Sequence, residues 1–191
     1  MLKRKRIKCC FVGDYNVGKT SIILSYLDRP TSKVSTTLGI DFFSRTICVS
    51  NVDVHLTLWD TAGSEKYRSL MHSYLRDAEI AILVYDTSKR ESNLVHWMRI
   101  IEQYDPKVVG VLGNKTDLTT EFTDDLDEIL FPWTRQNMNI VLGTCSSRKK
   151  DEVKYFLKKC IHELIVKKKS PEKRPNVELG MDFQQKNKCC T

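Results

Sequence analysis

Three short groups of residues in this 191-residue chain have types and spacings that do chemistry. Gly13-Asp14-Tyr15-Asn16-Val17-Gly18-Lys19-Thr20 has the pattern G-x-x-x-x-G-K-[ST] between an apolar run and a helical stretch. Glycines at both ends let main-chain N–H groups turn inward around a polyphosphate at a helix N-terminus. Lys19 is predicted to meet the β/γ-phosphates and Thr20 a magnesium ion. Asn114-Lys115-Thr116-Asp117 follows the apolar run 108–113 directly, at the carboxyl end of a predicted strand, where ligands of such sheets bind. A carboxylate there accepts from both the ring N–H and the amino group of guanine, a pattern adenine does not offer, so the expected nucleotide is GTP or GDP. In Trp59-Asp60-Thr61-Ala62-Gly63 the carboxylate can hold the magnesium shell through water and the glycine N–H can meet a γ-phosphate; Thr37 can add a second hydroxyl to the metal.

Elements that position these groups are legible in the hydrophobic pattern. Residues 7–12, 42–49, 52–59, 79–85, 108–113 and 140–144 read as strands, with Ser50-Asn51 as a hairpin turn between the second and third. Helical periods lie between them. Leu94, Trp97, Met98, Ile101 and Tyr104 share one face, and Val153, Phe156, Leu157, Cys160, Ile161, Leu164 and Ile165 form another stripe from Asp151 to about Lys168. Pro132 inside 123–139 predicts two short helical pieces there, because it breaks the hydrogen-bond ladder. The expected fold is α/β: a mainly parallel six-stranded sheet with one antiparallel edge strand and helices on both faces. Residues 1–6 read as a basic extension, 7–168 as the folded domain and 169–191 as a flexible tether rich in polar residues.

Charge is divided unevenly along the chain. Residues 1–8 carry five Lys/Arg and no acid, 9–147 hold 13 bases against 18 acids, and 148–191 hold 13 bases against six acids. An acidic body with basic ends disfavours a nucleic-acid-binding core and suits a membrane surface. Seven cysteines in no C-x-x-C pattern support neither a disulfide framework nor a zinc knuckle, and the four histidines have no ligand spacing. No apolar run reaches the 18 residues of a membrane-spanning helix.

With these motifs in this order, residues 5–168 resemble a small GTPase of the Ras superfamily with a P-loop NTPase G domain. Within it the chain resembles the Rab family, through Leu38-Gly39-Ile40-Asp41-Phe42, Leu56-Thr57-Leu58-Trp59, Lys66-Tyr67-Arg68-Ser69-Leu70, Ser73-Tyr74-Leu75-Arg76-Asp77-Ala78 and Leu83-Val84-Tyr85-Asp86-Thr87. The wording is nearest to the Golgi-associated Rab subgroup. The resemblance implies a switch in vesicle traffic, GTP-bound when it recruits effectors and released by hydrolysis, with switch segments at about 30–43 and 60–76. It implies nucleotide contacts from Tyr15, Asn16, Val17, Gly18, Lys19, Thr20, Ser21, Thr37, Gly63, Asn114, Lys115, Asp117, Ser146, Ser147 and Arg148, and metal contacts from Thr20, Thr37 and, through water, Asp60. Thr37, Lys19 and the position of Ser64 are the implied catalytic set. Phe42, Trp59 and Tyr74 fall where Rabs carry an effector-facing aromatic triad. Implied partners are effectors, an exchange factor, a GTPase-activating protein, prenylation machinery and a GDP-dissociation inhibitor, all acting on a monomer.

Three positions depart from that family. Ser64 replaces the glutamine that orients the attacking water, and Tyr15 replaces a small residue beside the γ-phosphate, so slow intrinsic hydrolysis is expected. A GTP-locked effector trap that scarcely hydrolyses is the alternative. Pro30 stands where relatives have a phenylalanine against the guanine ring, which weakens one wall of the base pocket and predicts faster nucleotide release. The tail sequence Lys188-Cys189-Cys190-Thr191 is not a C-a-a-X box, yet Rabs commonly carry paired cysteines that both receive geranylgeranyl groups. Two chains on Cys189 and Cys190, with nearby lysines, would anchor the protein on the cytoplasmic face of membranes, with a cytosolic pool; Golgi and endosomal membranes are the candidate locations.

Overall fold

The computed structural model describes residues 5–31, 40–61, 71–89, 93–118 and 126–167. Six strands, β1 (Lys5–Val12), β2 (Ile40–Val49), β3 (Val52–Thr61), β4 (Ile80–Asp86), β5 (Val108–Asn114) and β6 (Ile140–Thr144), form one sheet in the order β2-β3-β1-β4-β5-β6. Among the described residues four helices lie between strands, α1 (Lys19–Tyr26), α2 (Met71–Leu75), α3 (Leu94–Glu102) and α4 (Leu126–Arg135), and α5 (Lys150–Lys167) follows β6.

β2 and β3 pair antiparallel with Val49 opposite Val52, and both turn residues, Ser50 and Asn51, take positive φ. A two-residue turn of that kind has the twist of the strands it joins. Every other pairing is parallel. β4 and β5 are buried along their whole length, which their uninterrupted apolar runs required. β1 alternates: Ile7, Cys9 and Phe11 join a core with α1 and α5, whereas Cys10 and Val12 join the core on the opposite face with α2, α3 and α4.

The α5 stripe packs as its period demands, with all seven of its apolar residues buried. Phe156 reaches the sheet because Gly110 and Gly143 have no side chain there; a Cβ on Gly143 would collide with the Phe156 ring. Chain direction away from the sheet centre splits at β1, whose neighbours β3 and β4 lead to opposite sides, and ligands of open α/β sheets bind at the strand carboxyl ends near such a split.

Two expectations are corrected. β1 begins at Lys5, not Ile7, so Lys5 and Arg6 pair with Val54 and His55 rather than belonging to a separate extension. The Pro132 segment is one ten-residue helix, α4, not two pieces. Leu130 and Trp133 bury one side of α4, and the Trp133 indole N–H donates to Glu102 of α3 at 3.1 Å. Pro132 has no N–H to offer the Glu128 carbonyl, and both residues are exposed, so the break in the ladder lies on the side that water reaches.

Candidate functional site

The loop after β1 owes its shape to left-handed backbone at Gly13 (φ 136°), Asn16 (62°) and Gly18 (96°). A Cβ at Gly13 would strike the Val84 carbonyl and one at Gly18 the Asn114 side-chain amide, so the loop needs glycine there for space as well as conformation. Gly18 caps α1, leaving the first N–H groups of that helix directed at the loop. Val17 is buried, Ser21 is half-buried, and Tyr15 is 58% exposed on the rim.

Lys19 lies within this loop. It is 6% exposed, and its ammonium donates to the carbonyls of Gly13 and Asp14, both at 2.9 Å. Burial pulls its pKa down to about 8, against the opposing charges of Asp60 and Asp14. A desolvated ammonium that donates to main-chain carbonyls is stabilised further by a bound anion. One residue on, the Thr20 hydroxyl donates to Oδ2 of Asp60 at 2.6 Å, and Asp60 is fully buried at the end of β3. A hydroxyl beside a buried carboxylate is an oxygen donor set suited to magnesium. Among the described residues no three His, Cys, Asp or Glu side chains group to hold a metal.

The second half of the site is brought up by β5 and β6. Asn114, fully buried, donates from Nδ2 to the Val17 carbonyl at 2.9 Å and accepts the Ser147 N–H at 3.0 Å, so one amide joins the phosphate loop to the loop before α5. Lys115 crosses back to donate to the Asn16 carbonyl at 2.7 Å and pairs with Asp86 of β4 at 2.8 Å. Burial raises the Asp86 pKa, but hydrogen bonds from Lys115 and Ser88 outweigh it and hold the carboxyl below its ordinary value. Asp117 accepts the Ser146 hydroxyl at 2.7 Å on one oxygen and faces Arg148 at 3.0 Å on the other. The Ser146 bond leads the influences that keep Asp117 below the usual carboxylate range, so it is an ionised acceptor at neutral pH.

The described site residues from the sequence thus converge on one end of the sheet. Thr37, Gly63, Ser64 and the tail with Cys189 and Cys190 lie outside the described residues. Pro30 lies with Thr31, Ser147 and Arg148 on the wall of a cavity of about 250 Å³. Of the three aromatics assigned to an effector surface, Phe42 is 72% exposed and lies opposite Trp59 with ring centroids 6.1 Å apart. Tyr74 is 1% exposed, its ring enclosed in the core between α2 and the sheet, so of the three only Phe42 and Trp59 reach solvent. Lys8 lies 4.2 Å from the Trp59 ring centroid and donates to the Arg76 carbonyl at 2.7 Å.

Sequence reasoning missed Asp86, Thr87 and Glu152. Thr87 donates to the Asn114 carbonyl at 2.9 Å, and Glu152 accepts the Ser146 N–H at 2.9 Å. Asp86-Thr87 at the end of an apolar run was a visible signal of a strand-end site; for Glu152 only its place in the first turn of α5 hinted at a capping role.

Sheet order and cradle together define an α/β nucleotide-binding domain of the small G type. The family model described as "Ras family" matches residues 8–166. Two Arabidopsis thaliana relatives, Ras-related protein RABC2b and Ras-related protein RABC2a, are each 34% identical to this chain over 166 residues, covering 84% of it and 78% and 76% of their own lengths. The chain belongs to the Ras family, as a divergent Rab-like small GTPase.

Proposed function

We propose that this protein is a Rab-like GTP-binding switch in vesicle traffic, which cycles between magnesium-GTP and GDP. The observation that carries the reading is the link between its two halves: Asn114 and Lys115 fasten the phosphate loop to the strand end that presents the ionised Asp117. Lys19 and the α1 N-terminus would hold the β/γ-phosphates, and Thr20 with Asp60 and Thr37 would hold the ion, whose charge would offset that of the phosphates. Asp117 would discriminate guanine from adenine, with the Ser147 N–H at the base and the Lys115 stem along its face. Calorimetry on nucleotide-free protein tests this: GDP is expected to bind at least 100-fold more tightly than ADP, and Asp117→Asn to remove that preference. Equal affinities would refute the reading.

Finer features follow from the sequence departures. Ser64 cannot orient water as a glutamine does, so intrinsic hydrolysis is slow, and an activating protein must supply the missing groups. Pro30, at the cavity wall, offers no aromatic face to the base, so GDP leaves faster than from Pro30→Phe; equal release rates count against this. Segments 30–43 and 60–76 are the switches, and the exposed Phe42 with Trp59 is the effector-facing patch. Geranylgeranyl groups on Cys189 and Cys190 would hold the protein on the cytoplasmic face of Golgi or endosomal membranes, visible as two prenyl additions in the intact mass from a eukaryotic host. Ser64 also supports the second reading, an effector trap that stays loaded; protein purified with GTP rather than GDP would favour it.

A further inference from the structure

Asp14 puts a carboxylate inside the loop that has to hold an anion, and the fold ties it elsewhere. Its Oδ1 accepts the Trp97 indole N–H at 2.8 Å, and the Asn93 side-chain amide reaches its two oxygens at 3.2 and 3.1 Å. Trp97, 7% exposed, lies on the buried face of α3, and Asn93 caps that helix. The same residue's carbonyl holds Lys19 at 2.9 Å. Asp14 therefore serves the cradle with its main chain and α3 with its side chain. A carboxylate freed from these donors could turn toward the loop, where it would repel a polyphosphate and compete with it for Lys19. Three donated hydrogen bonds, one from a buried indole, fix it in the other direction.

We propose that Trp97 and Asn93 are positioning residues for polyphosphate binding: they restrain the Asp14 carboxylate on the α3 side, so that anion affinity depends on a helix that need not touch the ligand. The inference rests on the reading of the cradle as a polyphosphate site. It gives α3 a direct lever on nucleotide release, since a movement of α3 that withdraws Trp97 and Asn93 frees a negative charge beside the phosphates.

A double-mutant cycle separates this role from simple packing. GDP and inorganic tripolyphosphate are titrated into nucleotide-free wild type, Trp97→Phe, Asp14→Asn and the double variant. Trp97→Phe is expected to weaken both ligands about tenfold, the effect of one like charge approaching a partly solvated anion. Asp14→Asn alone sets the reference affinity of the cycle, and the double variant stays within about twofold of Asp14→Asn, because removing the charge removes the repulsion. A packing role for Trp97 predicts the opposite: the tenfold loss persists in the double variant, which overturns the proposal, as does wild-type affinity in Trp97→Phe. Should Trp97→Phe not fold, Asn93→Ala at its exposed position carries the same cycle, with a two- to threefold loss that Asp14→Asn cancels; no loss overturns it. The indole N–H proton resonance of Trp97 must also move upfield in Asp14→Ala. Wild type that binds tripolyphosphate but shows no guanine preference refutes the proposed function and leaves the cycle readable. Wild type that binds neither ligand refutes both.

Discussion

Lys19 gives the site its own pH dependence. Burial lowers the pKa of its ammonium to about 8, and a bound polyphosphate favours the charged form, so binding above that value takes up a proton. Affinity for GDP should fall about tenfold between pH 7 and pH 9, measured by calorimetry in buffers of differing ionisation heat. A flat profile would remove Lys19 as the titrating contact. On the proposed function, Ser64 would affect the chemical step rather than binding. In single-turnover assays Ser64→Gln should raise intrinsic hydrolysis by at least about tenfold without changing GDP affinity, because a glutamine there can orient the attacking water. An unchanged rate would place the obstacle elsewhere, with Tyr15 the next residue to replace.

At the scale of elements, α4 shows how packing overrides a local rule. Pro132 removes one main-chain donor from a helix whose other side is fixed by Leu130 and Trp133 against α3. Pro132→Ala should restore that bond and stabilise the domain by about 1–2 kcal/mol, less than the full interior penalty of roughly 3 because alanine loses more chain entropy on folding. Urea denaturation reads the shift, and no rise in midpoint would mean that the helix has already adapted to its proline. Asp28 shows the converse, a short-range residue with long-range partners. It lies just after α1 and meets Arg45 of β2 at 3.3 Å and Lys154 of α5 at 2.7 Å, joining the end of α1 to two other elements.

Over the whole molecule, Asp28, Asp86, Asp117 and Glu152 are all held below their ordinary pKa values: Asp28 first by Lys154, Asp117 first by Ser146, Glu152 first by the Ser146 N–H, and Asp86 by Lys115 and Ser88 against burial. A carboxylate whose folded pKa lies below its unfolded one contributes stability that is complete above the unfolded value, about 4, and is lost as pH falls through the folded value. The urea midpoint should therefore be insensitive to these groups between pH 7 and 5 and drop below pH 4. Asp86, the most enclosed of the four, should dominate, so that Asp86→Asn lowers stability at pH 7 and flattens the acid limb. An acid limb of unchanged steepness would show that the loss comes from other groups.

How much was written in the sequence follows from the range of each interaction. The phosphate loop, the Asn114-Lys115-Thr116-Asp117 group, the hairpin at Ser50-Asn51 and the α5 stripe each depend on neighbours within one or two turns of chain, so residue order alone determined them. The pairs Lys115 with Asp86, Ser146 with Glu152 and Asp117, and Asp14 with Trp97 carry no periodicity and leave no mark in composition. So too for the side chains of Tyr74 and Phe42: both are aromatic residues, yet the stacking of α2 on the sheet buries Tyr74 while Phe42 stands in solvent on the edge strand β2. Tertiary structure decided these because parallel strands meet through crossovers of a dozen or more residues, and which side chains then face each other depends on sheet order and register, which no local stretch of sequence contains.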